Sequence, residues 1–219
     1  MTVLDHDLDV PLSTVMREGS QAEHTAVEGS SFMTELLGGR VNEAGYAAYL
    51  LRLRQVYAAM EATARALSTE PAVAAVFDPA LERLAALDAD LAHWAPGATV
   101  VESAAATAYA ERIAATTAWA PLFVAHHYTR YLGDLSGGQA IGRILGRAFE
   151  LEDGVGVAFY AFDEIPKPKP YKDGYRARLD ALALTADEKQ RVVAEVKVAF
   201  NLNQALFAEL SADLDQYRR

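Results

Sequence analysis

The sequence has no cysteine among its 219 residues. Disulfide bonds, iron–sulfur clusters and metal centres with thiolate ligands are therefore excluded, because all of them need cysteine sulfur. A chain without cysteine is also compatible with a reducing cytosol, so we expect a cytoplasmic location.

Long apolar segments are missing as well. No apolar run approaches the roughly 20 residues that a membrane-spanning helix requires. At the N-terminus, Asp5, Asp7 and Asp9 stand where a secretory leader would have its basic and apolar parts. The chain ends in Tyr217-Arg218-Arg219, without an apolar tail. We therefore expect neither export nor a membrane anchor.

Basic residues are few relative to acidic ones. The 20 Lys and Arg residues against 30 Asp and Glu residues give a formal net charge of -10. Because this charge opposes nonspecific binding to nucleic acid, we expect no nucleic-acid partner. A local basic cluster is present at Lys167, Lys169, Lys172, Arg176 and Arg178. Such a cluster is usually a solvated face, but Lys172 and Arg176 lie one helical turn apart and can bind carboxylates together.

No linker-like or repeated segment divides the chain, and 52% of its residues are apolar. These features predict one domain, residues 1–219, with a sizeable core. Strand patterns are sparse, so we predict an all-α, multi-helix bundle. The apolar periodicity places helices near 11–29, 42–67, 72–93, 101–117, 119–149, 170–180 and 185–215.

Two local signals refine this pattern. Thr185 and Glu188 form a capping box at the start of the last helix. The longest predicted loop is 152–169, which contains two glycines and two prolines. For its aromatic residues Phe159, Tyr160 and Phe162, we favour simple packing in the core.

Glycines interrupt the helix predicted at 119–149 without ending it. Each glycine inside a helix costs about 1 kcal/mol relative to alanine, so their accumulation needs a reason. Gly133 and Gly137 share one helical face, and Gly138 and Gly142 share another. This arrangement predicts a kink and a strip of bare backbone that a flat group can approach.

Two other interpretations of the glycines were weighed. Small residues four positions apart also allow two helices to pack closely. A phosphate-binding loop fits less well, because no strand precedes the glycines and no lysine followed by serine or threonine comes after them.

A histidine near the N-terminus is the second candidate functional residue. Glu28 follows His24 by one helical turn, so its carboxylate can accept the Nδ1 proton and leave Nε2 free to ligate a metal. An ordinary surface ion pair is the alternative. Together with the bare glycine backbone, His24 suggests a flat macrocycle whose iron is ligated from one side.

At these residues the sequence resembles a known family, the histidine-ligated heme oxygenases of eukaryotes and bacteria. The segment Tyr128-Thr129-Arg130-Tyr131-Leu132-Gly133-Asp134-Leu135-Ser136-Gly137-Gly138-Gln139 is similar to the family's distal-helix signature. His24 and Glu28, followed by Ser31-Phe32-Met33, match its proximal helix. Two further family segments are similar to 171–176 and 199–207.

The resemblance implies a heme held between a proximal helix and a kinked, glycine-rich distal helix. It implies cleavage of heme to biliverdin, carbon monoxide and ferrous iron, with heme as both substrate and cofactor. Asp134 is then the catalytic acid, which orders a water for proton delivery. The implied catalytic set is Asp134, Arg130, Tyr57 and Asn203, with His24 as the iron ligand. The implied heme-binding residues are His24, Glu28, Arg17, Tyr131, Gly133, Gly137, Gly138, Lys172, Arg176 and Phe200.

The resemblance also implies partners. Dioxygen and an external electron donor, either a ferredoxin or a flavoprotein reductase, are needed, and a monomer is the expected state. Arg17 departs from the lysine common at that position. Asn201 stands where the family usually has an apolar residue, so it either makes an extra polar contact or faces solvent.

Two functions from other classes compete with this prediction. A heme carrier has a similar pocket but does not need a distal acid such as Asp134. A di-iron bundle needs Glu-x-x-His motifs, and none of the five histidines has a glutamate three residues before it. His126 and His127 are adjacent and point to different helix faces, so a metal shared between them is not expected.

Overall fold

The computed structural model describes residues 10–219, apart from the side chains of Val27 and Glu28. Its α-helices run in chain order as follows: α1 Leu12–Gly19, α2 Gln21–Glu28, α3 Ser31–Leu37, α4 Glu43–Ala66, α5 Pro71–Ala74, α6 Leu84–Trp94, α7 Ala104–Ala115, α8 Pro121–His127, α9 Gln139–Ala148, α10 Pro168–Asp180, α11 Ala186–Ala212 and α12 Leu214–Tyr217. Within residues 10–219 no β-strand is formed, and only an isolated bridge joins Val41 to Arg218. The all-α prediction is confirmed.

The two longest helices form the centre of the bundle. Helix α4 packs against α6 and α7, and α11 packs against α2, α7 and α8. The core is rich in fully buried aromatic side chains, among them Tyr57, Phe123 and Phe207. None of the helices within residues 10–219 is long and apolar enough to span a membrane.

The first predicted helix, 11–29, is divided in the structure. It breaks at Ser20, whose hydroxyl donates a 2.7 Å hydrogen bond to the carbonyl of Met16. The following short helix, α3, was not predicted; Ser30 caps its N-terminus by accepting from the amide of Met33. At the other end of the chain, the predicted capping box of Thr185 and Glu188 is present.

The glycine-bearing helix is continuous but irregular. It begins with Pro121 in the first turn of α8 and ends with α9. Between them lie two π-helical segments, Tyr128–Leu132 and Asp134–Gly138, which we call the first and second π segments. The prediction that the glycines interrupt this helix without ending it is confirmed. Single π turns within α-helices are frequent at functional sites.

The predicted loop 152–169 contains one short 3₁₀ turn, Ala158–Tyr160, and α10 begins at Pro168. Three side chains from other parts of the chain hold this loop. Asp90 accepts hydrogen bonds from the amides of Ala158 and Phe159, and Trp94 donates one to the carbonyl of Gly156. Arg83 donates to the carbonyl of Ala161. The loop is therefore a fixed wall of the bundle.

Candidate active site

A cavity of about 700 Å³ lies between several helices. Its walls come from α1 to α4, from the two π segments and α9, from α10 and α11, and from the Ala158–Tyr160 turn. Cavities of this size are typical of small-molecule and cofactor sites. The lining includes Arg17, His24, Tyr49, Arg130, Gly133, Asp134, Gly137, Gly138, Phe159, Tyr160, Arg176, Phe200 and Asn203.

The wall formed by α2 and α11 carries the candidate iron ligand. His24 is exposed to the cavity, and its ring lies edge-on to that of Phe200, with 5.6 Å between the centroids. The ring of Phe200 therefore limits how the imidazole can turn. The predicted partner of His24, the carboxylate of Glu28, lies outside the described side chains.

The glycine-bearing helix presents bare backbone, but only one of its two glycine faces is open. Nothing lies within 4 Å of the position that a Cβ would take on Gly133 or Gly137. By contrast, a Cβ on Gly138 or Gly142 would lie 3.3 Å or 2.9 Å from atoms of Tyr160. The expected bare backbone is therefore open at Gly133 and Gly137, whereas the side chain of Tyr160 lies against Gly142 and Gly138; Gly138 also lines the cavity.

The four predicted catalytic residues come from three parts of the fold and meet beside the cavity. Tyr57 on α4 donates a hydrogen bond to Oδ2 of Asp134. Arg130 donates from Nε to the Tyr57 oxygen at 3.1 Å and from Nη1 to Oδ1 of Asn203 at 2.7 Å. Its Nη2 lies 3.8 Å from Oδ1 of Asp134. Each polar group in this set is therefore held by another.

Burial dominates the electrostatics of this cluster. Burial raises the pKa of Asp134, and the charge of Arg130 and the hydrogen bond from Tyr57 offset only part of that rise. The pKa of Tyr57 is raised well above its ordinary value by burial, so the phenol stays protonated. Asp134 is consequently the member of the set whose side chain can gain and lose a proton most readily.

Cationic side chains lie at the edge of the cavity. Arg17 and Arg176 line it, and Arg176 also forms a 3.2 Å ion pair with Asp173. Lys172 does not line the cavity; its ammonium donates a 2.9 Å hydrogen bond to the hydroxyl of Ser136, which does. A macrocycle with two carboxylates fits this arrangement of an imidazole, an open glycine face and rim cations.

The remaining predicted residues lie elsewhere. Tyr131 does not line the cavity; its ring packs against Tyr57 and His127 behind the network. Asn201 is exposed, so it faces solvent. His126 and His127 point to different faces and bind Glu195 and the Tyr175 hydroxyl, respectively.

Sequence reasoning missed part of the cavity wall. Phe159 and Tyr160, for which the sequence favours core packing, are buried and also line the cavity. Tyr49, Tyr128 and Phe207 are further aromatic residues of the wall that are absent from the predicted site. The only signal in the sequence was the aromatic content of the 152–169 loop, which does not distinguish a core from a cavity wall.

The comparisons with known proteins show the family and agree with the fold. The heme oxygenase family model matches residues 10–209. A heme oxygenase from Porphyra purpurea is 37% identical over 93% of this chain and 88% of its own length. The crystal structure of heme oxygenase-1 from the cyanobacterium Synechocystis in complex with heme is 36% identical, with a TM-score of 0.89 over 94% of this chain and 95% of that one. The heme oxygenase structure from Leptospira interrogans is 35% identical, with a TM-score of 0.86 over 91% of this chain and 100% of that one. This chain belongs to the heme oxygenase family.

Proposed function

We propose that this protein cleaves heme to biliverdin, carbon monoxide and ferrous iron, in keeping with its family. The observation that carries the proposal is a largely buried acid, Asp134, held by Tyr57 beside a cavity that also contains His24 and an open glycine face. A heme carrier needs the imidazole and the cavity but not the acid.

Different residues of the cavity bind the iron, the propionates and the face of the macrocycle. His24 ligates the iron, Glu28 orients the imidazole from its Nδ1 side, and Phe200 packs beside it. Arg17 and Arg176 bind the propionates from the cavity wall, and Lys172, which donates to the Ser136 hydroxyl beside them, reaches the propionates from outside that wall. Gly133, Gly137 and Gly138 let the backbone approach the macrocycle closely, and Tyr131 supports Tyr57 from behind.

When bound, heme supplies the iron that activates dioxygen and the macrocycle that is oxidised. The residues of the chain deliver protons and limit which groups can approach the bound heme. Asp134 holds a proton at its carboxyl group and passes it through an ordered water, while Arg130 and Asn203 keep that carboxyl in place. The glycine face offers no side chain that could accept a proton directly, so the acid acts only from a distance.

The other participants follow from the same chemistry. Dioxygen is the oxidant, and an external ferredoxin or flavoprotein reductase supplies the electrons. The protein works as a monomer in the cytoplasm and does not bind nucleic acid.

A hemin titration followed by turnover tests the proposal. Purified protein is titrated with hemin, then supplied with a reductant in air with catalase present, while the Soret and far-red bilin bands are recorded. Loss of the Soret band with growth of a bilin band is expected, and Asp134→Ala should keep hemin binding but form much less bilin. A Soret complex that only cycles between oxidation states would make the protein a heme carrier.

A further inference from the structure

One aromatic side chain separates the main cavity from a second one. Tyr160, 4% exposed, lines the main cavity and also a second cavity of about 590 Å³ behind α9. The second cavity is further lined by Gly142, Gly146, Phe162 and Ile165. Tyr160 is therefore the partition between the space for heme and a space behind the glycine-bearing helix.

The ring of Tyr160 also supports that helix directly. A Cβ on Gly142 would lie 2.9 Å from the Tyr160 Cβ and 3.4 Å from its ring, and one on Gly138 would lie 3.3 Å from Cδ1. Both positions therefore favour glycine, because a side chain at either one would crowd Tyr160. Gly137, one residue before Gly138, faces open space instead.

The tyrosine is itself held in place. Asp90 is fully buried, and its two carboxylate oxygens accept hydrogen bonds of 2.7 Å and 2.8 Å from the amides of Ala158 and Phe159. These bonds fix the turn that carries Tyr160. Phe159 in the same turn packs edge-on against Tyr57, with 5.4 Å between the ring centroids.

We propose that Tyr160 is a positioning residue that sets how far the second π segment reaches into the heme cavity. The ring, backed by the Asp90-anchored turn, prevents the glycine backbone from moving back toward the second cavity. We expect the position of the segment to determine which edge of the macrocycle is oxidised, and this part of the proposal rests on the proposed function. The contact between Tyr160 and the glycines rests on packing alone.

The first test uses the heme-free protein and does not depend on turnover. Gly138→Ala places a methyl group 3.3 Å from Cδ1 of the Tyr160 ring, and Tyr160→Ala removes that ring and should lower the free energy of unfolding. Because the ring can oppose the methyl group only while it is present, Gly138→Ala should be clearly less favourable for stability in the wild-type background than in Tyr160→Ala. Additive effects would show that ring and glycine do not support each other and would overturn the proposal. Tyr160→Phe, which keeps the ring, is the matched control and should behave as wild type.

The second test uses the hemin complex. Tyr160→Leu should raise the rate of hemin transfer to apomyoglobin about fivefold or more, which corresponds to about 1 kcal/mol, and should change the proportions of the bilin isomers. Tyr160→Phe should change neither. If Tyr160→Leu only lowers stability and leaves the transfer rate and isomer proportions unchanged, the residue is merely structural. If wild type forms no bilin, the proposed function fails, whereas the heme-free cycle and the transfer rate still decide the positioning role.

Discussion

Tyr57 and Asp134 are 77 residues apart in the chain, yet the phenol of one donates a hydrogen bond to the carboxylate of the other. The bond joins α4 to the second π segment at the edge of the cavity. It lowers the pKa of Asp134 against the larger effect of burial, which raises it. The reactivity of the acid therefore depends on a residue from a different helix.

Removal of this bond should shift the pH dependence of turnover. In Tyr57→Phe the pKa of Asp134 should rise further, so the limb of the rate profile that reports this acid moves to higher pH. Bilin formation should fall about tenfold or more, within the range for a disturbed proton transfer, while hemin affinity stays close to that of wild type. Tyr171→Phe, which removes another tyrosine–aspartate hydrogen bond, to Asp78, is the matched control. An unchanged pH profile in Tyr57→Phe would contradict the role given to this bond.

The open glycine face should tolerate a methyl group until heme enters. Gly137→Ala has free space around its Cβ, so the heme-free protein should be as stable as wild type or up to about 1 kcal/mol more stable, because alanine favours helix. Hemin affinity should fall, since the methyl group projects into the cavity. Gly146→Ala, also with free space but outside the main cavity, should leave hemin affinity unchanged. Equal hemin affinities for both variants would argue against a macrocycle at Gly137.

The rim cations should recognise the carboxylates of heme. Arg176→Met should weaken the binding of hemin but have little effect on hemin dimethyl ester, in which the carboxylates are blocked. Arg178→Met is the control, because Arg178 donates to the carbonyl of Ala75 and does not line the cavity. Titrations of both ligands by absorption give the comparison. If Arg176→Met weakened the binding of the ester as much as that of hemin, Arg176 would contribute to the shape of the cavity and not to the recognition of carboxylates.

A buried ion pair away from the cavity should govern stability in acid. Burial tends to raise the pKa of Glu195, but His126 and Arg112 outweigh burial and lower it to about 2. Because the folded pKa lies below the unfolded one, the stabilisation is complete above about pH 4.5 and is lost as the pH falls toward about 2. Glu195→Gln should lower the free energy of unfolding at pH 7 by about 3 kcal/mol. Urea unfolding at several pH values tests this. The exposed Glu111→Gln should change little, and a deficit that persists unchanged at pH 2 would contradict the assignment.

His127 should make the free energy of unfolding depend on pH in a second, separate range. Burial, assisted by the charge of Arg178, lowers its pKa to about 3, and its Nδ1 lies 2.8 Å from the Tyr175 hydroxyl. The neutral ring therefore stabilises the fold above about pH 6.5, and this contribution falls by about 1.4 kcal/mol per pH unit below that value. His127→Asn should flatten the loss of stability between pH 6.5 and pH 4.5. The exposed His93→Asn should keep the slope of wild type; the same slope in both variants would refute the prediction.

The role of Asp134 came from the family resemblance, whereas the residues alone were sufficient to predict the all-α class, the interrupted helix with its glycines, and His24 as a candidate ligand. These follow from short-range patterns, because helical periodicity, caps and glycine spacing are all encoded within a few residues. Tyr57 and Asn203 could be assigned only through the family resemblance, since nothing in their own surroundings marks them as polar partners of Asp134.

What covers each face of those helices depends on contacts between distant parts of the chain. Periodicity shows that Gly138 and Gly142 share a bare face, but whether a macrocycle or a side chain covers it depends on a turn from another part of the chain. Tyr160 occupies that face because Asp90, on α6, fixes the turn that carries it. The same reason explains why Tyr49 and Phe159 were missed as cavity residues: a buried aromatic side chain has one local pattern whether it packs in a core or lines a site.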